Sequence, residues 1–348
     1  MHATRYIHYI HYIHYIYIIG IAFLLQGCRR ESHPSTPDTE SYAISMSPST
    51  VRGGARAIIE NVGDLQGLGS FGVYGYKVAS WGKQQVFGAG AQVQKVTYDG
   101  VWEYAPIKKY WDRSAAYYFG AYAPYGLAIE EANDGDGIVN GFTIKNLPQW
   151  QKVDDSVIDV IVATSKGQAT DYINTNGGTV SLAFNHIYAR LVVKLVKNAK
   201  LVSTYTLNSL TYGRNEGADV RLLPAKTNTT YSLNYTSGTG TMPLSGEKSL
   251  FPACTTASEV TTEEVVFADH LLIPNTVDGA GLPIVVDYKI ESSNFTSLVE
   301  TAQKEFEAGK VYTYTLKFES GYLLTLESVS VQDWDDVEDV NDDPVYNW

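Results

Sequence analysis

Apolar and polar residues alternate along most of this chain, and a period of two predicts strands rather than helices. In residues 179–184, Val180, Leu182 and Phe184 share one face. Ile284, Val286, Tyr288 and Ile290 do the same, and so do Tyr312, Tyr314, Leu316 and Phe318. Runs rich in β-branched and aromatic residues at 71–76, 117–122, 157–162 and 191–196 add further strands. Turn clusters separate them, such as Asn133-Asp134-Gly135-Asp136-Gly137 and Asn174-Thr175-Asn176-Gly177-Gly178. The pattern restarts near residue 200, where residues 227–240 read as a long loop or weak strand pair. Two strand-rich halves without a βαβ rhythm, and with no sustained helical periodicity, predict an all-β chain of two tandem antiparallel β-sandwich domains. The expected bounds are 57–199 and 200–348.

The N-terminal stretch follows another rule. An uncharged run from Tyr6 ends in Leu24-Leu25-Gln26-Gly27-Cys28. A greasy segment closed by a small residue and Cys predicts a lipoprotein signal over residues 1–27, cut before Cys28. Cys28 is then the lipid attachment site, and acyl chains rather than a spanning helix hold the remainder to a membrane. The same run is long enough to span a bilayer if it is retained. Three Tyr-Ile-His repeats within it place His8, His11 and His14 at regular spacing. Without acidic or Cys partners nearby they read as part of the apolar leader, not as a metal site. Residues 28–56 are rich in Ser, Pro and charge, which suits a solvated linker. Val51-Arg52-Gly53-Gly54-Ala55-Arg56-Ala57 closes that linker with two arginines in a Gly-rich stretch.

Composition narrows the function classes. The net charge of −12 argues against a nucleic-acid partner, which needs a basic surface. Six acids crowd the ending: Asp335, Asp336, Glu338, Asp339, Asp342 and Asp343. No calcium-loop spacing supports them, so they read as a solvated tail. With Cys28 lipidated, Cys254 has no partner and reads as a small buried apolar residue. Gly67-Leu68-Gly69-Ser70-Phe71-Gly72 matches a dinucleotide fingerprint in letters only. That motif needs a strand before it and a helix after it, whereas a strand follows here. His186 lacks any nucleophile context and reads as a structural His bonded to backbone. Trp102, Tyr104, Tyr110, Trp111, Tyr117 and Tyr118 form either core and cross-strand pairs or a sugar-stacking platform, and a Tyr-rich β protein favours the first. No catalytic residue, cofactor or metal site is expected, and the chain is not read as an enzyme.

Several stretches then fall into the order of a known family. They are the Cys28 lipobox, the segment 51–57, the strands at 70–76 and 118–124, and Phe184-Asn185-His186-Ile187-Tyr188-Ala189-Arg190. Leu271-Leu272-Ile273-Pro274, residues 306–314 and Val329-Ser330-Val331-Gln332-Asp333-Trp334 complete the series. The chain resembles the fimbrillins of Bacteroidetes, the subunits of type V pili. The resemblance implies two transthyretin-like sandwiches, export as a lipidated precursor to the outer membrane, and residence in a cell-surface fimbrium. It implies cleavage by an Arg-specific protease at Arg56, with Arg52 as the alternative, and loss of a strand near residues 43–46. Assembly with other fimbrial subunits then proceeds by strand donation, with Val329, Val331 and Trp334 marking the C-terminal pairing strand. Surface glycans or proteins of host or bacterial cells are the adhesion targets such a subunit meets. The rival reading is a surface glycan-binding lipoprotein of a polysaccharide-uptake system, which needs no Arg cleavage site.

Overall fold

The computed structural model describes residues 42–51, 59, 61–88, 92–154 and 157–334. Cys28, Arg52, Arg56 and the acidic tail lie outside the described residues. The described chain is all-β, as the alternation predicts.

An eight-stranded sheet dominates the first half. Its order is Ser45–Val51, Thr179–His186, Ile161–Gln168, Ala116–Ala123, Ser70–Ala79, Gln94–Tyr98 and Trp102–Tyr104, with Gly82–Phe87 also paired to Ser70–Ala79. One face buries Phe71, Val73, Phe119, Ala121, Val180, Leu182 and Phe184 in a single core. The other face carries Tyr74, Tyr76, Tyr122 and Val162 against a four-stranded sheet, through Phe142, Ile144, Tyr231 and Leu233.

The second half is a sandwich of two five-stranded sheets. Leu323–Asp333, Lys310–Ser320, Ala189–Lys197, Val265–Leu272 and Trp150–Lys152 form one. Phe251–Cys254, Tyr205–Tyr212, Pro283–Ile290 and Ser293–Glu300 form the other, with Ser258–Val260 also on Tyr205–Tyr212. Alternate residues of the first sheet, among them Leu191, Val193, Leu195, Tyr314 and Leu316, share one core with Leu207, Leu210, Ile284 and Val286 of the second.

Strands cross the midpoint of the sequence in both directions. Trp150–Lys152 and Ala189–Lys197 precede residue 200 yet pair with Val265–Leu272. Asn228–Asn234 follows it yet pairs with Val139–Pro148. A third apolar cluster, which includes Tyr188, Val192, Leu271, Val311 and Trp334, fills the space where the two sets of strands adjoin.

Of the two readings of 227–240, the strand pair is the one seen, with Asn228–Asn234 paired to Thr239–Thr241. Two local expectations change. The strand expected at 157–162 begins at Ile161 and runs to Gln168, and Asp159 lies just before it with its carboxylate accepting from Ile59 N–H and the His186 ring. Among the described residues, two short helices, Val62–Leu68 and Ala169–Asn176, escape the pattern because they are too short for a periodic stripe. Asn61 caps the first through its side chain, and Gly69 ends it with φ 72°, a left-handed conformation suited to glycine. The Gly67–Gly72 motif therefore spans the end of that helix and the start of a strand, the reverse of a dinucleotide site.

Candidate functional site: the two terminal edge strands

The sheet edge formed by Ser45–Val51 is the first candidate. Ile44-Ser45-Met46-Ser47-Pro48 alternates, so one face can enter a core. Ile44 and Met46 are 1% and 2% exposed and belong to the first-half core. The strand runs parallel to Thr179–His186, from Ser45 opposite Thr179 to Val51 opposite Phe184, with a bulge between Pro48 and Thr50. Side chains add a clasp, Ser45 Oγ to Thr179 Oγ1 at 2.7 Å. The entry to the strand is tied down as well. Ile44 N–H donates to Lys109 O at 2.8 Å, and the Tyr104 hydroxyl donates to Ile44 O at 2.8 Å. Trp111 Nε1–H donates to Gly178 O at 2.9 Å, which also accepts from Ser45 N–H at 3.2 Å. Burial pushes the Tyr104 hydroxyl above its ordinary pKa, so it remains a neutral donor. The arginines at 52 and 56 come directly after this strand in sequence.

Leu323–Asp333 is an edge of a different sheet, paired among the described residues on one side only, to Lys310–Ser320. Val329 lies opposite Tyr314 and Val331 opposite Tyr312. Their faces therefore point the way of two core tyrosines, yet Val329 and Val331 are 42% and 49% exposed. Its two described acids are bridged across the hairpin, Glu327 by Lys317 and Asp333 by Lys310. Trp334, just past the strand, is buried and stacks on His186 with ring centroids 4.0 Å apart. The three residues expected on one pairing strand thus differ: two valines face solvent and the tryptophan is an internal anchor.

Other expectations resolve as follows. His186 bonds not to backbone but to the Asp159 carboxylate, at 3.0 Å through Nδ1. Of the proposed aromatic platform, Tyr104, Trp111 and Tyr117 are buried, and Trp111 packs on Tyr172 at 4.8 Å. Tyr110 alone of the six is strongly exposed, so no flat platform forms. Cys254 is only half-buried, at the margin of the second-half core. A cavity of about 500 Å³ lies where Val162, Thr164, Asn185, Met242, Gly309 and Asp333 converge. Sequence reasoning missed Asp159, whose only signal was an acid within an apolar run. Among the described residues, no group of His, Cys, Asp and Glu is placed to hold a metal ion. Among the same residues, no helix is long and apolar enough to cross a membrane.

Comparison with known proteins decides the family. The profile of the fimbrillin-like family matches residues 56–334. The chain belongs to the fimbrillin-like family. A fimbrial protein from Bacteroides vulgatus shares its fold, with TM-score 0.53 at 16% identity over 84% of this chain and 99% of that one. A candidate cell adhesion protein from Bacteroides uniformis aligns at TM-score 0.45 and 18% identity, over 86% of this chain and 99% of that one. A candidate cell adhesion protein from Bacteroides ovatus aligns at TM-score 0.47 and 16% identity, over 86% and 99%. No curated protein matches. Within this fimbrillin-like chain the family match starts at Arg56 and ends at Trp334, so it leaves out the strand Ser45–Val51.

Proposed function

We propose that this chain is a structural and adhesive subunit of a cell-surface fimbrium, exported as a lipoprotein anchored through Cys28. Its first strand keeps it monomeric until an Arg-specific protease cuts after Arg56, or after Arg52. One observation carries this reading: a strand that plugs a core with Ile44 and Met46 lies at a sheet edge directly before two arginines. Once cut, that strand is a separate peptide. Holding a separate molecule costs about 4–15 kcal/mol in lost freedom that the intact chain does not pay. The cut strand is therefore weakened enough to be exchanged for another. Its loss leaves the edge of Thr179–His186 with unpaired backbone groups beside an apolar groove. A strand from a neighbouring subunit fills both, its backbone giving affinity and its alternate side chains giving register. The Val329 and Val331 edge is the region we assign to such pairing.

Arg-specific proteolysis of the purified protein tests the reading. Cleaved wild type should form ladders that survive mild detergent, and the double variant Arg52→Ala, Arg56→Ala should stay monomeric. A cleaved protein that stays monomeric, alone and with the subunits encoded beside it, overturns strand donation and moves surface glycan binding ahead. Labelling with a radioactive fatty acid tests the anchor: Cys28→Ala should lose all label, and a labelled variant refutes Cys28.

A further inference from the structure

The strand Thr179–His186 touches both ends of the described chain. Along one edge it pairs with Ser45–Val51 at six positions. Along its other edge it pairs with Ile161–Gln168 at only two, Ile161 with His186 and Val162 with Asn185. Most of its ladder is therefore supplied by the first strand.

Its last side chain seats the end of the last strand. The His186 and Trp334 rings lie parallel, with centroids 4.0 Å apart and planes at 4°. Both residues are buried. His186 Nδ1–H donates to Asp159 Oδ1 at 3.0 Å, and Asp159 Oδ2 accepts Ile59 N–H at 2.9 Å. Ile59 belongs to the same buried cluster as Ile44 and Met46. Trp334 N–H donates to Gly309 O at 2.9 Å, and Gly309 N–H donates to Tyr188 O at 2.9 Å, two residues beyond His186. The stack itself has no polar fastening, since His186 Nε2 and Trp334 Nε1 have no hydrogen-bond partner among the described residues. The position of His186 thus contributes to holding Trp334, through dispersion contacts that weaken over a fraction of an ångström, alongside the Gly309 bond and the cluster of Tyr188, Val192, Leu271 and Val311.

We infer that Thr179–His186, with Asp159, is a latch that couples the first strand to the last. Loss of Ser45–Val51 strips six of its eight described ladder positions and opens the core beside Ile59. His186 and Asp159 then lose their fixed spacing, and the end of Leu323–Asp333 comes free at Trp334. The latch rests on the maturation reading only for its biological trigger. Reciprocity is required: whatever frees Trp334 must loosen the first strand by the same factor.

Hydrogen exchange on the full chain tests this without any protease. Met46→Asp places a charge in the first-half core and displaces the first strand, and Met46→Ala does so more gently. Exchange of the peptide ending at Trp334 should rise at least tenfold in Met46→Asp and at least threefold in Met46→Ala, with Ala189–Lys197 unchanged. His186→Phe keeps a ring beneath Trp334 but drops the Asp159 bond, and in that background Met46→Ala should add less than twofold. Trp334→Ala should speed exchange across Ser45–Val51 at least threefold. If either Met46 variant frees the first strand by its own exchange while Trp334 stays within twofold of wild type, the latch is wrong. Full additivity with His186→Phe refutes it equally. Because the trigger here is a substitution, failure of cleavage-driven assembly leaves this result standing, and the reverse.

Discussion

The first and last described strands are both sheet edges, and they are built in opposite ways. Ser45–Val51 turns Met46 into a core together with Ile44 at its entry, and leaves them 2% and 1% exposed. Leu323–Asp333 keeps Val329 and Val331 nearly half exposed and anchors itself at its end with Trp334. A long edge with few charges is usually a hazard, because its free N–H and C=O groups invite another strand. At the first edge, Ser45–Val51 covers the side of Thr179–His186 that would otherwise be free. The last edge stays open, with Glu327 and Asp333 both engaged by lysines of its hairpin partner. The contrast fits a subunit with one concealed acceptor and one available pairing edge.

Truncating the core beneath the first edge should have the largest effect. Phe184 is fully buried and packs edge-on against Phe71, with centroids 5.5 Å apart. Phe184→Ala should cost about 3–5 kcal/mol in urea unfolding. A loss below about 1 kcal/mol would mean that the first-half core does not depend on the strand between its edges.

Met46→Ala is expected to cost about 2–5 kcal/mol if the edge strand unfolds with the whole domain. The comparison predicts instead a local event. Residues 45–51 should become sensitive to protease at a urea concentration where the second-half core stays intact. Loss of both regions in one transition would erase the distinction between a removable plug and an ordinary strand.

Acid sharpens the contrast from the second half. His270 lies in its sandwich against Phe251 and Tyr212, and burial pushes its pKa down to about 4. The unfolded chain binds a proton near pH 6.5 and the folded one resists it, so stability is full above about 6.5 and falls as pH drops toward about 4. The span corresponds to roughly 3 kcal/mol, one pKa unit being about 1.4 kcal/mol. Acid titration of the unfolding free energy should show this slope, and His270→Phe should flatten it. An unchanged slope in that variant would assign the acid sensitivity to other groups.

Val331→Lys should do least to the fold. An exposed position on an open edge is expected to change unfolding by no more than about 0.5 kcal/mol. If this edge is the donor we propose, the same change should block assembly of cleaved protein, because a charge would enter the register of the donated strand. Normal ladders from that variant would remove Val331 from the pairing strand.

Much of this was legible in the residues. Alternation at 179–184, 284–290 and 311–318 reports strands with one buried face, because pleating sends successive side chains to opposite sides. The strand Ser45–Val51 was less legible: its residues read as a solvated linker, and only the family resemblance implied a strand near 43–46, because Ile44 and Met46 show as buried positions only once Thr179–His186 lies beside them. Asp159 and His186 were not legible as a pair, since they are separated by 27 residues and meet only because the strand after Asp159 begins beside the end of Thr179–His186. The helix Ala169–Asn176 was hidden because eight residues give barely two turns, too few for a face to stand out.

By itself the sequence determined the all-β class, the strand faces, the absence of a dinucleotide loop and the family order of motifs. These depend on local rules, namely period-two burial, turn chemistry and short-range spacing. Tertiary structure alone decided which strands are edges and which strand covers which. It placed Trp150–Lys152 and Ala189–Lys197 in one sheet with strands far along the chain, and brought Trp334 onto His186. Pairing partners are chosen by the burial of whole faces against each other, and no short stretch of residues contains that comparison.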